Sequence, residues 1–255
     1  YWTGYNEDGY DRCNGSYSVS NDALHIAGVI KAMYKSYNAE ALVNYQQKPQ
    51  PLVMRVHYGK DFGNAFWDGQ QMTFGDGNLF LHPLVSLTIG AHEVSHGFTQ
   101  HNSNLAYFGQ SGAINESFSD MAAQAAEYYV NHKNTWKIGQ DILKSTSLMT
   151  ALRFMDQPSL DRRSIENAEQ FREGMDVHYA SGVFNKLFYT LATTPYWTTK
   201  KAFKVMLKAN MDYWSENSNF SDAACGIIYA AEDYNYSLSD VKRALDAVLV
   251  DYQKC

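Results

Sequence analysis

The chain has 255 residues, enough for one large domain or two modest lobes, and its 45% hydrophobic and 19% charged residues can bury a substantial core. A net charge of −6 with no basic stripe excludes nucleic acid and anionic membrane as natural partners. No run of about 18 apolar residues occurs, so nothing reads as a membrane-spanning helix. The 19 Tyr, 13 Phe and 5 Trp suit either core filling or a surface for extended peptides.

A loop-like start rich in Tyr, Gly, Asp and Asn precedes a helix predicted over 20–37, with Ser20 or Asn21 as its cap. Residues 52–58 alternate like a strand, and short strands follow near 64–68 and 71–75, punctuated by Asp68-Gly69 and Asp76-Gly77 turns. From Leu84 onward the pattern is helical, with candidate helices at 84–101, 114–131, 139–149, 180–193, 198–211, 220–232 and 239–250, the last capped by Ser239. Residues 156–177 read as a long charged surface loop. The expected fold is α+β in two lobes: a β-containing N-terminal lobe (1–83), a central helix (84–101) and a helical C-terminal lobe (102–255). In an oxidising compartment Cys225 and Cys255 would bridge, pinning the C-terminal tail to an earlier helix, and Cys13 would then be free or paired outside this stretch.

The chemistry concentrates in His92-Glu93-Val94-Ser95-His96. On a helix, residues four apart share a face with Cβ atoms about 5–6 Å apart, so both imidazoles can reach one zinc ion. Glu93 is rotated to lie beside the metal, where a base for its activated water belongs. That motif alone is weak, because two satisfied histidines on a polar face have the same spacing. A catalytic zinc needs a third protein ligand and an open corner. Glu116, 20 residues after His96 and inside Asn115-Glu116-Ser117-Phe118-Ser119-Asp120, can supply the ligand from a returning helix. Asp120, one turn on, can accept the other N–H of a ligand histidine.

These strings, with Asn64-Ala65-Phe66-Trp67-Asp68-Gly69, Phe74-Gly75-Asp76-Gly77, Leu152-Arg153-Phe154-Met155-Asp156-Gln157-Pro158 and Asp176-Val177-His178-Tyr179-Ala180-Ser181-Gly182, resemble the thermolysin family of zinc peptidases, and most closely its pseudolysin-like members. The resemblance runs from about Val53 to the C-terminus. It implies a thermolysin-like two-lobe fold and a secreted, monomeric zinc endopeptidase (EC 3.4.24 class) acting on proteins and peptides. It makes Tyr107 and His178 donors to the developing oxyanion, with Asp176 orienting the imidazole. Arg153 would hold a substrate carbonyl, and Asn64 and Ala65 would pair with substrate backbone. Leu81, Leu84, Ile89, Ile138, Ile142 and Leu152 would form an aliphatic pocket for the residue just after the cut.

Two departures from the family pattern stand out. Its calcium-binding positions here hold Thr88, Gln124, Glu127, Thr135 and Lys137, too few carboxylates for a cation that wants six to eight oxygens, so calcium is expected to be absent or weakly held. The family also has more β-structure ahead of Asn21, so the β-rich lobe is expected to be reduced or trimmed. Gly90 inside the zinc helix fits a hinge or close packing equally well. The competing functions are a zinc aminopeptidase, which needs an acidic cluster for a free amine that is not seen, and an inert zinc-binding protein, against which Glu93, Tyr107 and His178 argue.

Overall fold

The computed structural model describes residues 10–11, 16–17, 19–44 and 46–255; Cys13 lies outside them. Strands β1 (Tyr10–Asp11) and β2 (Ser16–Tyr17) pair antiparallel ahead of helix α1 (Val19–Lys35). Ser20 and Asn21, expected as caps, fall inside the first turn of α1. Strands β3 (Met54–Tyr58), β4 (Ala65–Trp67) and β5 (Met72–Gly75) form a mixed sheet in the order β3-β5-β4, parallel on one side and antiparallel on the other. All four residues of the central strand β5 are buried. That leaves β4 as an edge whose outer side has no strand partner among the described residues.

Helix α2 (Leu87–His101) is capped by Ser86, whose hydroxyl accepts from Ile89 N at 3.4 Å. It therefore starts three residues later than the predicted 84. Helix α3 (Gly109–Asn131) starts earlier than the predicted 114, because Gly112 does not break the helix. Gly112 lets the helix approach its neighbour: a Cβ there would meet Val177 Cγ1 at 2.5 Å. Gly90 has the same explanation, since a Cβ would meet Ile26 Cδ1 of α1 at 2.5 Å. Every residue from Ser111 to Glu127 is buried, so α3 is the central post of the molecule.

A short antiparallel pair, β6 (Lys137–Ile138) and β7 (Arg153–Phe154), follows, and then helices α4 (Val177–Ala180), α5 (Gly182–Ala192), α6 (Thr199–Asp212), α7 (Phe220–Asp233) and α8 (Leu238–Asp246). The helix expected at 139–149 is only a 3-10 turn, Gln140–Ile142. Tertiary pairing overrides the helical pattern there: His82 N donates to Ile142 O at 2.8 Å and Lys144 N to Phe80 O at 2.9 Å. The last helix is capped by Ser237, not Ser239, with Asp240 N donating to its hydroxyl at 3.3 Å, and it ends at Asp246 rather than 250. Residues 156–177 hold two 3-10 turns, Pro158–Asp161 and Ala168–Gln170, in an otherwise irregular segment. A Cys225–Cys255 disulfide ties the tail to α7. One buried apolar cluster runs from α1 through the sheet to α8, an α+β arrangement.

Candidate metal centre and its cleft

Helices α2 and α3 pack in opposite directions, so that His92 meets Asp120 while His96 meets Asn115. His92 Nδ1 lies 2.8 Å from Asp120 Oδ1, an acceptor, so this nitrogen carries the proton and Nε2 is left with its lone pair. His96 Nδ1 lies 2.8 Å from Asn115 Oδ1, and Asn115 Nδ2 donates to Leu105 O at 3.0 Å, which fixes the amide's direction and again leaves Nε2 bare. The two Nε2 atoms face each other at 3.1 Å. Glu116 approaches them from α3, Oε2 3.3 Å from His92 Nε2 and Oε1 3.5 Å from His96 Nε2. Glu116 is fully buried and its Oε2 accepts no hydrogen bond. Two ring nitrogens and the two oxygens of Glu116 thus converge on one point, which is repulsive unless a cation or added protons join them. Two imidazoles and a carboxylate are the donor set of a catalytic zinc site, so the residues present fit that ion.

The centre opens into a cleft of about 1140 Å³. Asn64, Ala65, Leu81, Leu84, Ile89, Leu152 and Arg153 line it, together with Glu93, Tyr107, Asp176 and His178. Ile138 and Ile142 are buried and lie outside that lining. Met149, which sequence reasoning missed, does line the cleft. Tyr107 donates its hydroxyl to Glu116 Oε1, and His178 Nε2 lies 3.4 Å from both that oxygen and the hydroxyl. Asp176 caps α4 and accepts from His178 N and from His178 Nδ1, each at 2.9 Å, which turns Nε2 toward the centre.

Residues 3–100 match the thermolysin metallopeptidase catalytic domain, and residues 103–250 match the thermolysin metallopeptidase alpha-helical domain. The chain belongs to the thermolysin family. It is 57% identical to a zinc metalloproteinase of Legionella pneumophila over 100% of this chain and 47% of that protein. It is also 46% identical to a neutral protease of Vibrio proteolyticus over 98% of this chain and 39% of that one. The structure of the precursor of protealysin from Serratia proteamaculans superposes with a TM-score of 0.83 at 27% identity, covering 91% of this chain and 79% of that chain. The thermolysin-family chain described here thus spans about half the length of the curated relatives it matches.

Electrostatics in this thermolysin-family centre follow from burial and charge. Burial opposes a charged imidazole, but Glu116 and Asp120 outweigh it and push His92 up to about 10, so the centre demands positive charge. Burial would also raise Glu116, yet His96 and His92 hold it well below the usual carboxylate range. Burial pushes Glu93 above the ordinary glutamate value, only partly offset by His92 and His96. Arg153 grips Asp120 through two 2.7 Å hydrogen bonds, Nε to Oδ2 and Nη2 to Oδ1. Against the upward pull of burial, this pairing keeps Asp120 ionised. Asn185 Nδ2 completes the shell around Asp120 at 2.9 Å.

At Thr88, Gln124, Glu127, Thr135 and Lys137, where the resemblance led calcium ligands to be sought, polar groups satisfy one another within the protein. Gln124 Nε2 donates to Lys137 O at 3.0 Å, and Gln124 Oε1 accepts from Trp136 N at 3.1 Å and Asn134 Nδ2 at 3.0 Å. Glu127 Oε2 accepts from Thr135 N and Oγ1, and Thr88 Oγ1 accepts from Gly139 N at 3.2 Å. An amide N–H of Gln124 thus points at the Lys137 carbonyl.

Proposed function

We propose that the chain is the peptidase part of a secreted zinc metalloendopeptidase, cutting internal peptide bonds of proteins in the cleft that α2 floors. The observation that carries this reading is the convergence of the buried Glu116 carboxylate and the Nε2 atoms of His92 and His96 beside a cleft that the buried Glu93 lines. His92, His96 and Glu116 would hold zinc, which when bound supplies Lewis acidity that polarises the scissile carbonyl and acidifies water.

Glu93 takes the proton of the attacking water and returns it to the leaving amine, and its burial-raised basicity matches both steps. The Tyr107 hydroxyl and His178 Nε2 donate to the oxygen that gains charge, with His178 aimed by Asp176. The free edge of β4, with Asn64 and Ala65, pairs with an extended substrate, as sheet edges do. Leu81, Leu84, Ile89 and Leu152 receive a bulky apolar side chain just after the cut. The internal disulfide fits an extracellular, oxidising setting. The hydrogen bonds that Gln124, Glu127 and Thr135 make within the protein support a reading without bound calcium.

A quenched peptide blocked at both ends tests the class of reaction. Cleavage that a zinc chelator abolishes, on the amino side of Leu or Phe in preference to Asp or Gly, is the expected result. Trimming only of peptides with a free amino end would refute endopeptidase action.

A further inference from the structure

We propose that Arg162 and Arg163 form a carboxylate subsite on the primed side of the cleft, selecting substrates with an acidic group two or three residues after the cut; this rests on the peptidase function above. Both are exposed and both line the cleft. The 3-10 turn that precedes them, Pro158–Asp161, packs on β7, which carries Arg153 next to the pocket residue Leu152. On its other flank Arg163 Nη1 donates to Tyr179 Oη at 2.5 Å, one residue beyond His178. The pair therefore stands between the pocket wall and the His178 segment, where the chain after the cut would leave.

The third guanidinium of the cleft, Arg153, is neutralised by Asp120. Arg162 and Arg163 form no ion pair among the described residues. The nearby Asp161 also lines the cleft, but its oxygens are engaged locally, accepting from Arg163 N at 2.8 Å, Ser164 N at 2.7 Å and Ser164 Oγ at 2.5 Å. Arg162 also sits at φ 65, a left-handed conformation that favours glycine. A long cationic side chain at that turn is thus held over the cleft without a structural partner. A planar guanidinium donates in a fork that matches a carboxylate, so a substrate carboxylate is the complementary ligand.

The test uses doubly blocked peptides that differ only in Glu or Gln at the second or third residue after the cut. A separate pair ends at the second residue as a free acid or as an amide, which distinguishes a side-chain carboxylate from a chain terminus. The wild-type protein should favour the acid in kcat/KM by roughly three- to tenfold, less so at high salt. In Arg162→Gly with Arg163→Gln, the acid-to-amide ratio should fall close to one, while Arg→Lys at both positions should keep part of it. Glycine suits the φ of residue 162, and each ratio is internal to one protein, so a loss of folded enzyme does not mimic the result. Equal rates on Glu and Gln in the wild type, or an unchanged ratio in the double variant, would overturn the subsite. Cleavage of none of the peptides would instead sink the peptidase reading, and the subsite with it.

Discussion

Asp120 is the residue on which most of the site's order depends. It accepts from His92, twice from Arg153 and from Asn185, all in a fully buried position. Asp120→Asn removes the charge that orients the imidazole and leaves a largely buried guanidinium unpaired. Zinc affinity should fall about 10–100-fold by competition with a chelator, and unfolding free energy by about 3 kcal/mol. Unchanged metal affinity would show that His92 is oriented by something else. Glu93→Gln separates chemistry from metal binding: one zinc per chain should remain while turnover drops about 10²–10⁴-fold. Residue spacing already brings His92, His96, Glu116 and Asp120 within reach of one another, because helical periods of four are geometric. Asn115 as the partner of His96 was not legible. Its only signal was its place immediately before Glu116, and which of two adjacent polar residues faces a neighbouring helix depends on how the helices are rotated.

Among the elements, α3 and the segment after it show where local pattern stops being informative. Gly112 lies inside α3, two residues ahead of the predicted start, at a place where the approach of Val177 leaves no space for a Cβ. Residues 139–149 have helical spacing, but their backbone pairs with residues 80–82, a long-range contact that no window of sequence contains. The same region carries a pH prediction. Burial raises the Glu127 carboxyl, more than its Thr135 hydrogen bonds lower it, so the folded state disfavours the charged form. Below the ordinary glutamate value, near about 4.3, folded and unfolded chains are both protonated and the penalty is absent; it grows as pH rises through the higher folded value. Glu127→Gln should therefore gain stability relative to wild type between about pH 4 and pH 7, with neither protein's melting temperature responding to calcium. A calcium-dependent rise lost in the variant would mean that the cradle still binds the ion.

At the scale of the whole molecule, the α+β organisation was legible because apolar periodicity changes character after Leu84, whereas the mixed pairing of β3, β5 and β4 was not, since strand order is set by long-range closure. The Cys225–Cys255 bridge closes a 30-residue span and ties the last residues to α7. Replacing both cysteines with serine should cost about 3 kcal/mol through the wider unfolded ensemble, a drop of about 6–12 °C in Tm by calorimetry. An unchanged Tm would mean that packing of Val248 and Val250 alone anchors the tail. Convergence of α2 and α3 on one cation decides the rest, and diffraction data collected on either side of the zinc absorption edge test it most directly. One anomalous peak is predicted about 2.0–2.2 Å from His92 Nε2, His96 Nε2 and a Glu116 oxygen, with its remaining corner open to the cleft. A peak elsewhere, or a Glu116 carboxylate turned away from both imidazoles in active protein, would contradict it.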